Sequence, residues 1–194
     1  EGEGEGEGEG EGEGEGEGES GCALAEDGTI EGDVTVTGLS DLFLLEGCTH
    51  ISGSLRFGNV DDEGSGDTSP WLTAIGPRLA SLQVIGDKLI ITHTGLTDLR
   101  GFESLTTVST LLIHNNHSLT SLNGLEGLTT VAADLVILAT DATTQVSEGL
   151  QNLSTVGGTF ILQGERVPQC QIDNVLSHVT VTGPVFTEGD STCN

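Results

Sequence analysis

Five histidines, four cysteines and 31 acidic side chains are the residues equipped for chemistry in this chain. His114 and His117 flank Asn115 and Asn116, and His93 lies one repeat earlier near the same edge. Two imidazoles at that spacing can share a transition metal if the backbone turns correctly. Asn116 argues for a different reading. It falls where a repeat turns, and an Asn side chain there bonds neighbouring backbone. The histidines are therefore expected to be turn residues rather than ligands. Asp61, Asp62, Glu63 and Asp67 crowd one segment together with the lone Trp71. They offer oxygen ligands of the kind Ca²⁺ takes. They match neither the EF-hand spacing nor the Gly-Gly-x-Gly-x-Asp repeat, so a solvated acidic loop is expected, with Trp71 as a packing anchor. No Gly-x-Ser-x-Gly elbow, phosphate loop or His-Glu-x-x-His helix occurs. No spacing among the acids nominates a glycosidase pair. The expectation is a protein that binds rather than catalyses and carries no cofactor, with Ca²⁺ at the four acids as the alternative.

Charge narrows the partners. Acids outnumber bases 31 to 5, for a formal net charge of −26. Nucleic acids and anionic membrane surfaces are bound through clustered Lys and Arg, which this chain lacks. No apolar run approaches the length of a membrane span. The sequence opens at Glu1 without the basic and apolar regions of a signal peptide, and it reads as a mature product or a fragment. The sequons Asn116-His-Ser118 and Asn152-Leu-Ser154 matter only where the source glycosylates.

The elements that position these residues come in two parts. Residues 1–20 are a Glu-Gly alternation ending in Ser20, with no apolar side chain to bury. Glycine entropy and repulsion between glutamates favour a solvated linker, the other reading being an arm that docks on a neighbouring subunit. Residues 21–194 form the domain, with an insertion at 58–78. A repeat runs through it, with apolar residues three apart followed by a short alternating strand. One copy is Leu122, Leu125, Leu128, Val131, then Leu135 and Ile137. The copy before it is Leu99, Phe102, Leu105, Val108, then Leu111 and Ile113, and the copy after is Val146, Leu150, Leu153, Val156, then Phe160 and Leu162. Placing Ile30, Ile51, Ile85, Val108, Val131 and Val156 in one register gives steps of 21, 34, 23, 23 and 25 residues. The final copy is expected to be partial, with Val179 and Val181, and the string Val-Thr-Val-Thr-Gly occurs at both ends, at 34–38 and 179–183. A single coil cannot bury its apolar edge, whereas stacked coils share a core. The expected fold is mainly β, a right-handed leucine-rich-repeat-like β-solenoid of about six or seven coils with a parallel sheet. The leucine stretches are expected to be turns or single helical turns.

The segment from Cys22 to Phe57 resembles the start of a receptor L domain. That family has an opening Cys, a run of leucines and the pattern Cys-Thr-x-Ile-x-Gly-x-Leu-x-Ile. Here the residues read Cys48-Thr-His-Ile-Ser-Gly-Ser-Leu-Arg-Phe57. The later Leu-x-x-Leu-x-x-Val copies are similar to the same family, most of all to its bacterial surface members, which also end in a Pro-x-Cys segment and a last Cys. The resemblance runs from residue 22 to 193. It implies disulfides Cys22–Cys48 and Cys170–Cys193 capping the two ends, although four cysteines by themselves allow three pairings. Each closed loop of roughly 25 residues is worth on the order of 3 kcal/mol. Disulfides also imply an oxidising, extracellular or cell-surface setting.

Alternation then locates a surface. In each strand the residue between the two inward ones points out. Those residues are Thr35, Arg56, Ile90, Leu112, Val136 and Ile161, so four successive coils present an aliphatic side chain, and Leu138 widens the stripe. An apolar stripe of this kind points to an interface, unless a loop of the same chain covers it. In the resembling receptors this face also binds ligand. The expected function is a non-enzymatic binding or adhesion module that recognises a protein or glycan through Ile90, Leu112, Val136, Leu138 and Ile161. The alternative is a self-associating subunit of an extracellular assembly with the Glu-Gly segment as its arm.

Overall fold

A computed structural model describes residue 22 and residues 27–58, 75–138 and 145–191. Its strands are β1 (Thr29–Ile30), β2 (Val34–Val36), β3 (His50–Ile51), β4 (Leu55–Phe57), β5 (Val84–Thr92), β6 (Thr107–His114), β7 (Thr130–Val131), β8 (Leu135–Leu138), β9 (Thr155–Val156), β10 (Phe160–Pro168), β11 (Thr180–Val181) and β12 (Val185–Asp190). All strand pairs are parallel, and together they form one 12-stranded sheet that does not close into a barrel. The pairings run along two lines. The first is β1-β3-β5-β6-β7-β9-β11; the second is β2-β4-β5-β6-β8-β10-β12. β5 and β6 belong to both lines, with a register shift between Ile85 and Lys88.

The register expected from the repeat is the register observed. Ile30, Ile51, Ile85, Val108, Val131 and Val156 are successive partners on the first line. From Ile51 to Val156 these side chains have no exposed surface. Leu55, Leu89, Leu111, Leu135 and Phe160 do the same on the second line. β-branched and leucine side chains fill a pleated surface well, and each buried one contributes on the order of 2 kcal/mol of transfer free energy. Phe57 and Phe102 meet edge to face inside this core, with centroids 5.7 Å apart.

The two Val-Thr-Val-Thr-Gly strings are not equivalent. Val34–Val36 is β2 on the second line, whereas Thr180–Val181 is β11 on the first. Val181 is the partner of Val156, so the last rung is not partial: β12 completes it.

The leucine stretches form turns, a short 3-10 turn at Gly76–Leu79 and one helix, α1 (Leu39–Leu44). Asp41 fixes the start of α1, accepting from the backbone N–H groups of Thr37 and Gly38 at 2.7 and 2.8 Å and from the Thr37 hydroxyl at 3.0 Å. Burial works to raise the Asp41 pKa, but these bonds to the carboxylate outweigh it and hold the group below its ordinary value. A second helix, α2 (Gln169–Leu176), occupies the Pro-x-Cys segment, where the repeat spacing indicates no helix. It buries Ile172 and Val175, three residues apart on one face.

Cys22 and Cys48 are joined as the resemblance implies, with Cα atoms 4.9 Å apart. Cys170 is disulfide-bonded as well, and its expected partner Cys193 lies outside the described residues. So do the Glu-Gly segment, Trp71 and the four acids Asp61, Asp62, Glu63 and Asp67. Ile75, at the end of the insertion, is a core residue only 1% exposed.

Candidate binding face

Along the second line of strands one side chain turns in and the next turns out. The outward positions stand in strict register: Thr35, Arg56, Ile90, Leu112, Val136, Ile161 and Phe186. Leu112, Val136 and Ile161 are partly exposed, and Phe186 at the end of the row is 51% exposed. Leu138 is 43% exposed and lies beside the row, in register with His114 and Gln163. The stripe expected from alternation is thus brought together, and it gains Phe186, which the sequence reading missed along with the rest of β12.

Ile90 corrects one expectation. It is only 6% exposed. Its row neighbours are Arg56 and Leu112, and Lys88 and Thr92 flank it along its own strand, all on the same face. Ile90 is therefore a floor of the face rather than a contact residue.

Two residues further along the chain the same strands carry a polar cluster. Thr92 and His114 are register partners, and Thr92 is 4% exposed. The Thr92 Oγ1 lies 2.8 Å from His93 Nδ1 and 3.4 Å from His114 Nδ1. A hydroxyl can donate one proton and accept two, so the tautomers of the two rings set which atom donates in each contact. The rings meet edge to face, centroids 6.2 Å apart. Burial lowers the His114 pKa, and the nearby His93 lowers it further. His93 and Asn115 both take left-handed backbone, with φ of 53° and 55°. His117 is on an exposed turn outside this cluster, so the partner of His114 is His93, one rung away, and not the histidine three residues on.

Asn116 does what its place in the repeat implies. Only 2% exposed, its Oδ1 accepts from the N–H and the hydroxyl of Thr94 at 3.0 and 2.9 Å. Its Nδ2 donates to the carbonyls of Ile91 and His114 at 2.9 and 3.0 Å. Among the described residues no group of three or more His, Cys, Asp or Glu is placed to hold a metal, and none of their helices is long and apolar enough to cross a membrane.

The first line of strands has its own outward row, Thr107, Thr130, Thr155 and Thr180, in register. The residues just before three of these bond across rungs: Thr106 Oγ1 to Gln83 O at 3.0 Å, Thr129 Oγ1 to Thr106 O at 3.1 Å and Ser154 Oγ to Thr129 O at 2.9 Å. The recurring Thr-Thr-Val and Ser-Thr-Val triplets were the available signal for both series.

Residues 47–133 match the receptor L domain family. Receptor L domains bind protein ligands and are not known as enzymes. The matched stretch is narrower than the resemblance read from residue 22 to 193, and a particular likeness to bacterial members is not borne out. It takes in Ile90 and Leu112 but stops before Val136, Leu138, Ile161 and Phe186. No curated protein matches the chain.

Proposed function

We propose that this chain is an extracellular, non-enzymatic recognition module that takes a protein partner on the outward row Leu112, Val136, Ile161 and Phe186, with Leu138 beside it. The observation that carries this reading is the register, which sets four partly exposed apolar side chains on adjacent strands, about 4.8 Å apart. A continuous apolar strip on an otherwise acidic surface marks an interaction site. The protein-binding habit of receptor L domains supports a protein over a glycan. So does composition: the face is mostly aliphatic, with Phe186 its one aromatic ring, and the chain has no Tyr and a single Trp. The Cys22–Cys48 disulfide supports an oxidising compartment. The paired lines of strands are read as coils of a right-handed solenoid, about six or seven in all, with the Glu-Gly segment as the linker that displays it.

The test is retention of a partner from the extracellular fraction of the parent organism by the full chain and by Val136→Glu, with a matched charge at the exposed turn residue Gln151 as control. The expected result is a protein retained by the native chain and by Gln151→Glu and lost with Val136→Glu, while thermal unfolding shows both variants folded. Equal retention by all three removes the face from consideration. Light scattering on the same samples reads the assembly alternative: oligomers that survive Val136→Glu would put the contact elsewhere.

A further inference from the structure

We propose that the outer edge of β12 is a docking strand, which takes an extended segment of a partner protein carrying alternating apolar and basic residues and pairs with it in parallel as one more rung. This rests on the reading of the chain as a binding module and names a second surface for it. The backbone supplies the first observation. At equivalent places Val34, Leu111, Leu135 and Phe160 each donate their N–H forward to the next rung, to Ser54, Asp134, Thr159 and Pro184 carbonyls at 2.8, 2.9, 2.9 and 2.9 Å. Val185 is the register partner of Phe160 and therefore next in this series. Its N–H points away from β10, and among the described residues β12 pairs with β10 alone. Thr187, two residues on, points the same way.

The side chains supply the second observation. Leu55, Leu89, Leu111, Leu135 and Phe160, which precede Val185 in the inward row, are fully buried, whereas Val185 is 45% exposed and its neighbour Phe186 is 51% exposed. One further strand would cover both, just as each rung covers the one before. An unpaired strand edge with apolar side chains is a template for strand addition.

Charge selects the occupant. Glu188 stands two residues after Phe186 on the same face, and Glu165 and Asp173 are exposed nearby, against the single base Arg166. A second copy stacked end to end would bring its own exposed Asp27, Glu31 and Asp33 against them. Acid would then face acid, in a chain with 31 acids and 5 bases. A segment with an apolar residue opposite Phe186 and a Lys or Arg opposite Glu188 meets both demands.

The probe is a fluorescent nine-residue peptide of alternating Lys and Val, added to the full chain at about 0.15 M salt and followed by anisotropy. A control peptide has the same charge with its central Val replaced by Pro, which cannot complete a strand. Saturable binding of the first peptide and not the second is expected. Thr187→Pro deletes an outward N–H without touching the bonds to β10, and Phe186→Lys removes the apolar contact by a separate route; each should weaken binding at least about tenfold. Equal binding of the two peptides, or no change in either variant, overturns the proposal and leaves charge alone as the cause. Self-association that Phe186→Lys dissolves gives the edge to a second copy and also overturns it. The retention assay with Val136→Glu is read independently, so that failure here leaves the reading of the sheet face standing.

Discussion

Asn116 and Thr94, on adjacent rungs, share a single oxygen: the Asn116 Oδ1 accepts both the backbone N–H and the hydroxyl of Thr94, at 3.0 and 2.9 Å. Its amide nitrogen is equally committed, to Ile91 and His114 carbonyls. Both residues are buried. Removing the side chain strands these backbone groups away from water, at about 1–3 kcal/mol for each buried group left unpaired. Asn116→Ala should therefore cost about 3 kcal/mol or more in urea denaturation. Asn116→Asp keeps the acceptor but loses both donors, and should fall between that variant and the native chain.

Glycine tolerance should differ sharply by position. Gly124 has φ of 113°, and a Cβ there would run into the Leu99 carbonyl of the preceding rung. Gly32 has φ of 89° with nothing within 4 Å. Backbone strain alone costs roughly 1–2 kcal/mol. Gly32→Ala is expected to lose about 1 kcal/mol. Gly124→Ala should exceed about 3 kcal/mol, because the rungs must part to admit the methyl group. Equilibrium denaturation of the two variants side by side checks the contrast.

The His114 imidazole predicts a pH dependence. Its folded pKa lies below the ordinary value of 6.5. Below about pH 6.5 the unfolded chain then holds more protons than the folded one, so acid draws the protein toward unfolding. This stability is fully present above the unfolded value and is lost as pH falls toward the folded one. Melting temperatures measured from about pH 8 to pH 5 should drop more steeply for the native chain than for His114→Gln. Parallel curves would show that the histidine is silent.

The first rung should depend on its covalent tie. Cys22 and Cys48 enclose a sequence separation of 26 residues. Replacing both by Ser should cost about 2–4 kcal/mol. Hydrogen exchange should show the loss concentrated in β1, β2 and α1, since distant rungs contact only their own neighbours.

The inward rows were legible in the sequence because each is written in one kind of residue at a nearly steady step, broken once by the insertion between Ile51 and Ile85. Ile51, Ile85, Val108 and Val131 need no three-dimensional information to be aligned. The aliphatic stripe followed by alternation from that alignment. Exposure did not follow: Ile90 stands in the outward row yet is only 6% exposed, and alternation tells which side a residue faces, not what covers it. The last rung escaped for a different reason. α2 replaces the leucine lead-in there with Gln-Cys-Gln-Ile-Asp-Asn-Val-Leu, so Val185 and Phe186 lack their usual announcement. The pairing of His93 with His114 spans a whole rung; the repeat places His93 near the same edge, but spacing alone does not choose between it and His117 as the neighbour of His114.

The hydroxyl series from Ser154 to Thr129, Thr106 and Gln83 lies along the stacking axis, as do the strand hydrogen bonds beside it. A tug on the two ends of the stack therefore loads these bonds in series, one rung after another, rather than sharing the force among them in shear. Such a molecule yields by peeling. As a spacer between two surfaces it would pay out length in instalments of about one repeat, and the Cys22–Cys48 tie holds the first rung against peeling from that end.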